Sequence, residues 1–138
     1  MMTIFRWCDC YAPLFGRFLM GGLFLWAGIH KALDLAMTAG YIESVGLPLP
    51  LVLAVVAAVF EIVAGLALIL GFYTRHAALL LALYVLLLNA LFHMNWSDQM
   101  QLGFFISNMA LIGGLLYVST FGAGGYSIDA SRATRSRS

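Results

Sequence analysis

Charge is what this sequence has least of. Charged residues make up 9% of its 138 positions, against about 25% in a typical soluble domain. A chain this poor in charge cannot dress a surface for water. The formal net charge of +1 gives no basic footprint, so nucleic acid is excluded as a partner. Cysteine is scarce as well: Cys8 and Cys10 are the two present. They form Cys-x-Cys before the first apolar run, not the Cys-x-x-Cys of thioredoxin-like centres. A reducing cytosol would disfavour a standing disulfide there, and no catalytic disulfide can be assembled inside the apolar runs. Strand-like alternation is missing too, which argues against a barrel of many short strands. No nucleophile with its base, nucleotide-binding glycine loop or compact metal site is recognisable. A cleavable signal peptide is not expected, because the first apolar run is long and lacks an obvious small-residue cleavage site.

What the chain has in abundance is apolar length. Hydrophobic residues reach 63% and mean hydropathy +0.97. Four runs, at about 12–33, 51–72, 76–94 and 102–121, each approach the ~20 residues that cross a hydrocarbon core of ~30 Å. Helices satisfy their own backbone groups, which lipid cannot do. The sequence therefore predicts an all-α integral membrane protein, a four-helix bundle over residues 1–129 with a mobile Arg/Ser-rich tail at 130–138. The bilayer is its first partner.

Orientation follows from the basic residues. Arg6, Arg17, Arg75, Arg132, Arg135 and Arg137 fall on one side, whereas Lys31 stands alone on the other with Asp34, Glu43 and Asp98. The positive-inside rule predicts both termini in the cytoplasm of a bacterial inner membrane. Gly46-Leu47-Pro48-Leu49-Pro50 and Asn95-Trp96-Ser97-Asp98 then become outer loops, and Gly71 to Arg75 a tight inner turn.

Polar residues within the runs carry the functional reading. Glu61 lies near the middle of the second run, on a stripe with Ala54, Ala58 and Gly65. Small residues on one stripe let another helix approach, so Glu61 is expected to face the bundle. The first run aligns Arg17, Gly21, Phe24, Gly28 and Lys31, with His30 turned away. The third aligns Arg75, Ala78, Ala82, Leu86, Asn89 and His93, and the fourth Gln101, Phe104, Asn108, Ile112 and Leu115. Four converging faces would bury a polar column, a candidate ligand cavity of Glu61, His93, Asn89, Asn108, Lys31 and Arg17. Glu61 is expected to pair with Arg17 or Lys31, or else to stay protonated, because an unpaired carboxylate at that depth is costly. Interhelical hydrogen bonding, at roughly 0.6 kcal/mol per pair, accounts for the amides equally well. It accounts less well for a mid-membrane carboxylate. Two histidines near the outer surface raise haem, but His30 and His93 point in different directions, which argues against it.

Arg17-x3-Gly21 followed by Gly28-Ile29-His30-Lys31 resembles the first helix of the DoxX family. The stretch from Glu61-Ile62-Val63-Ala64-Gly65 to Gly71-Phe72-Tyr73-Thr74-Arg75 is similar to that family's second helix and turn. Gly122-x-Gly124-x-Tyr126-Ser127-Ile128-Asp129 is similar to its C-terminal signature. The resemblance implies a small four-helix inner-membrane protein of a functionally varied group. Some relatives are linked to sulfur metabolism and to thiol or oxidative-stress defence, and the related DoxD group supplies a subunit of a thiosulfate:quinone oxidoreductase.

Three functions fit these residues. One is a redox-associated subunit, non-catalytic or co-catalytic, binding a quinone or small sulfur compound in the outer cavity. Glu61, His93 and Asn108 would then hold polar atoms, and Phe104 and Trp26 would flank an apolar ring. Another is a small-solute transporter component gated by Glu61. Four short helices are a thin scaffold for alternating access without a homo-oligomer, and no broken-helix pair is visible. The third is an anchor recruiting soluble or membrane redox enzymes as partners.

Overall fold

The computed structural model describes residues 2–136, excepting the side chains of residues 2–8 and of Cys10. The Cys8, Cys10 and Arg6 side chains, and Arg137, thus lie outside the described residues. The described residues form helices joined by turns, in the order α1 (Met2–Leu33), α2 (Leu35–Ser44), α3 (Pro50–Leu70), α4 (Thr74–Phe92), α5 (Gln99–Phe121) and α6 (Ile128–Arg135). Among the described residues, four segments have the length and apolarity to cross a membrane: Tyr11–Leu33, Pro50–Leu70, Thr74–Phe92 and Gln99–Phe121.

Local chemistry sets the ends of these helices. Pro50 occupies the first turn of α3, where a missing N–H costs nothing. Gly71 ends it in the left-handed region at φ 68°, and the Phe72 N–H closes on Ala67 O at 2.9 Å. Asp98 caps α5 by accepting from the Met100 N–H at 2.9 Å, and Asp34 caps α2 through the Met37 N–H at 3.0 Å.

Three elements depart from the sequence reading. α1 begins at Met2, well before the expected 12, and runs through Pro13. The connection between the first two spans contains α2, whose Ile42 is buried while Tyr41 stacks on Phe92 at 5.2 Å. The segment expected to be a mobile tail from residue 130 carries α6, capped by Ser127 Oγ on the Ala130 N–H.

Packing is tightest between α1 and α3. A Cβ on Gly21 would stand 2.6 Å from Gly65 O, and one on Gly65 would stand 2.8 Å from Gly21 O. Gly28 is similarly pressed, 2.9 Å from Ala58 O. The expected stripes on these helices are therefore the ones that meet. Phe24, Ala64, Leu68, Leu81, Val85 and Leu115 form the apolar centre that joins α1, α3, α4 and α5. On α4 the buried face is Thr74, Ala77, Ala78, Leu81, Ala82, Val85 and Asn89; Arg75 and Leu86 turn outward, against expectation. α5 is the least buried of the four spans, with Ile112 and Leu115 its buried residues. Long apolar side chains such as Phe15, Leu33, Val63 and Leu83 cover the outside, as a lipid-facing surface requires.

Candidate functional site

The expected polar column resolves into separate groups at different places in the bundle. Glu61, midway along α3, has a side chain 3% exposed. Lys31 Nζ from α1 donates to both its oxygens, at 3.0 Å to Oε1 and 2.8 Å to Oε2. The Tyr84 hydroxyl from α4 donates to Oε1 at 2.7 Å. One carboxylate thus joins three membrane helices. Pairing with Lys31 was one of the alternatives that the sequence left open; Tyr84 was not foreseen. A tyrosine midway along a span, away from the interfacial belt where such rings usually sit, was the signal that could have found it.

Arg17 is elsewhere. Buried at 1% exposure, it donates through Nη1 to Leu68 O at 3.2 Å and Ile69 O at 3.3 Å, and through Nη2 to Tyr126 O. Its task is to cap the carbonyl end of α3, where a cation suits both the orphan acceptors and the helix dipole. The alternative Arg17–Glu61 pair does not form, because the arginine finds carbonyls at its own depth.

The amides pair between α4 and α5. Asn108 Nδ2 donates to Asn89 Oδ1 at 2.7 Å, and Asn89 Nδ2 to Phe105 O at 3.3 Å. His93 follows the last turn of α4, where its Nδ1 meets Gln101 Oε1 at 2.6 Å. Its ring lies against Phe104 at 5.4 Å. His30 and Trp26 form an exposed pair on α1, with rings 4.1 Å apart.

A cavity of about 440 Å³ opens beside the Lys31–Glu61–Tyr84 cluster, on the side away from the chain ends. α2, α3 and α4 wall it; Tyr41, Phe60, Phe92, Val56 and several leucines make it mostly apolar. Lys31, Tyr84 and His93 reach its lining, and Glu61 stands behind the first two. Asn89 and Asn108 are taken up by their own pairing, Arg17 by the carbonyls, and Trp26 by His30. Of the candidate residues, then, the fold brings Lys31, Glu61 and His93 to this cavity and keeps Asn89, Asn108 and Arg17 from it. Phe60, which packs edge-on against Tyr84 at 5.0 Å, and Tyr41 supply the aromatic walls expected of Phe104 and Trp26.

A second polar cluster lies where the chain returns after α5. Asp129 accepts from the Tyr73 N–H (2.9 Å), the Thr74 N–H (2.9 Å) and the Thr74 hydroxyl (2.7 Å), capping α4 from a distant part of the chain. Burial opposes its ionisation, but the bonds from Thr74 and Tyr73, with Arg132 nearby, outweigh that and hold its carboxyl below the usual range. They also steady Tyr73, which stands at φ 45°, a region that costs a non-glycine residue about 1–3 kcal/mol. Asp129 closes the Gly122–Asp129 motif in sequence, but nothing in that spacing points to a cap on a helix so far away in the chain.

Comparison with known proteins agrees with this architecture. The chain is 40% identical to inner membrane protein YqjF of Escherichia coli (strain K12) over 119 residues, covering 84% of this chain and 88% of that protein. It is 30% identical to inner membrane protein YphA of the same organism over 121 residues, covering 84% and 86%. No solved structure matches. These similarities and the four apolar helices support a multi-pass inner-membrane protein. Residues 12–94, from the start of the first span to the end of the third, match the DoxX family: the chain belongs to that family.

Proposed function

We propose that this DoxX family protein is a redox-associated membrane subunit that binds one small neutral amphiphile, of the quinone class, in the cavity under α2. The observation that carries the reading is the juxtaposition of a mostly apolar cavity of about 440 Å³ with the Lys31–Glu61–Tyr84 cluster. Ligand sites are commonly concave and apolar, with a few fixed polar groups that set orientation. Here the Lys31 charge is matched by Glu61, so the polar end of the cavity is neutral as a unit. An anionic ligand would have to draw Lys31 away from a buried carboxylate, which is costly. A neutral carbonyl can accept a further hydrogen bond from the ammonium, whose three donors allow it, and leave the pair intact. The ring of His93 stands at the same lining, and Phe60 and Tyr41 offer faces for an aromatic ligand.

The test is mass spectrometry of small molecules retained after gentle detergent purification. A quinone or similar neutral amphiphile is expected with the unaltered chain, and reduced by about tenfold or more in Lys31→Met and Tyr84→Phe. Equal retention in both variants, or retention of anionic amphiphiles alone, would overturn the reading.

A further inference from the structure

The joint between α1 and α5 is open where the α1–α3 joint is closed. A Cβ on Gly114 would meet Met20 Sδ at an ordinary 3.5 Å. A groove of about 610 Å³ follows this joint in the half nearer the chain ends, with Pro13, Met20, Tyr117, Val118 and Phe121 in its walls. Space of this kind within a membrane span is filled by lipid chains, since water finds few partners there.

Charge marks the groove out from other gaps. Arg17 belongs to its lining, is almost completely buried, and keeps an Nε–H with no acceptor among the described residues. The groups that hold Arg17 are neutral carbonyls. Asp129 acts on it from further off, but its oxygens already accept from Tyr73 and Thr74. Gly122, also in the lining, lies under Arg75: a Cβ there would be 3.2 Å from Arg75 Nε. Arg75 is exposed and has no hydrogen-bond or ion-pair partner among the described residues. Within the lining Asp9 balances Arg17, so the cation left uncompensated is Arg75, at the rim over Gly122.

We propose that this groove is a site for one anionic phospholipid, with an acyl chain along Met20, Val118 and Phe121 and the phosphate drawn to Arg75 and to the fixed charge of Arg17. Basic pockets between membrane helices suit anionic head groups, and the apolar walls require a chain on the ligand. Free phosphate lacks one.

Native mass spectrometry of the full chain with equimolar phosphatidylglycerol and phosphatidylcholine tests this. One phosphatidylglycerol should be retained in preference. The preference should fall about fivefold in Arg75→Gln and persist in Arg75→Lys, because one basic side chain contributes on that order near an anionic lipid. Gly114→Leu, which fills the groove, should release both lipids. Equal retention of the two lipids by the unaltered chain would overturn the proposal. So would an Arg75→Gln preference equal to wild type, or displacement by millimolar inorganic phosphate or glycerol phosphate, which would reveal a head-group site with no chain. Arg75 is exposed, so its two variants decide the matter even if Gly114→Leu does not fold.

Discussion

Glu61 shows how much one side chain can demand of its neighbours. Burying a carboxylate in hydrocarbon is tolerable when a cation and further donors meet it, and Lys31 with Tyr84 do so. Glu61→Gln should therefore destabilise the bundle by about 3–5 kcal/mol, because it strands the Lys31 charge. Adding Lys31→Met should return most of that loss. Unfolding of the single and double variants in detergent would measure the coupling; additive losses would contradict the pair. Arg17→Gln combined with Glu61→Gln should be additive, since the two residues share no partner. Tyr84→Phe removes one hydrogen bond and leaves the ion pair, so the expected cost is about 1 kcal/mol. The depth and inward direction of Glu61 were legible from its stripe. Its choice of partner was not, because helical spacing fixes a face but not how far a lysine stem reaches across to the next helix.

Among the elements, the contact of α1 with α3 is the most demanding. Gly21, Gly28 and Gly65 bring backbone against backbone, so a single methyl has nowhere to go. Gly21→Ala and Gly65→Ala should each lower stability by about 1–3 kcal/mol through overpacking. Gly103→Ala on α5, with open space around it, should be neutral or stabilise by about 0.5–1 kcal/mol through helix propensity. Thermal unfolding in one detergent distinguishes the two classes. The spans themselves were readable from hydropathy and length. α2 was not: it is ten residues long, too short to cross a membrane, and it looks like loop unless the Asp34 cap is noticed. α6 was hidden for another reason. Serine and arginine suggest a solvated tail, yet Ser127 is a helix cap and Asp129 finds its donors on α4, a contact between residues far apart in sequence. The rotation of α4, which turns Arg75 and Leu86 outward, was not legible, because nearly every residue of that helix is apolar and hydropathy alone cannot choose a face.

For the molecule as a whole, the Asp129 cap ties the C-terminal segment to the α3–α4 turn, with Arg132 over the Phe72 and Tyr73 rings at 5.5 Å and 5.1 Å. Asp129→Asn puts an amide donor where one oxygen accepts, and should cost about 1.5–3 kcal/mol at neutral pH. The folded carboxyl titrates lower than the unfolded one, so the stabilisation is complete above the ordinary carboxylate range and disappears as pH falls through the folded value. Melting curves of wild type and Asp129→Asn should accordingly converge in strong acid; a gap that persisted there would contradict the assignment. Reporter fusions at both ends should mark the cytoplasm, as the distribution of arginines predicts.

The carbonyl cap on α3 has a consequence for biogenesis. Arg17 leaves the ribosome long before Leu68, Ile69 and Tyr126 exist to receive it. The first span must therefore wait for α3 to bring two of these carbonyls, and its set of acceptors is complete only when Tyr126 arrives. A nascent chain arrested short of Tyr126 should stay more open to proteolysis than one arrested after Asp129, so that arrival of this segment locks the first span in place.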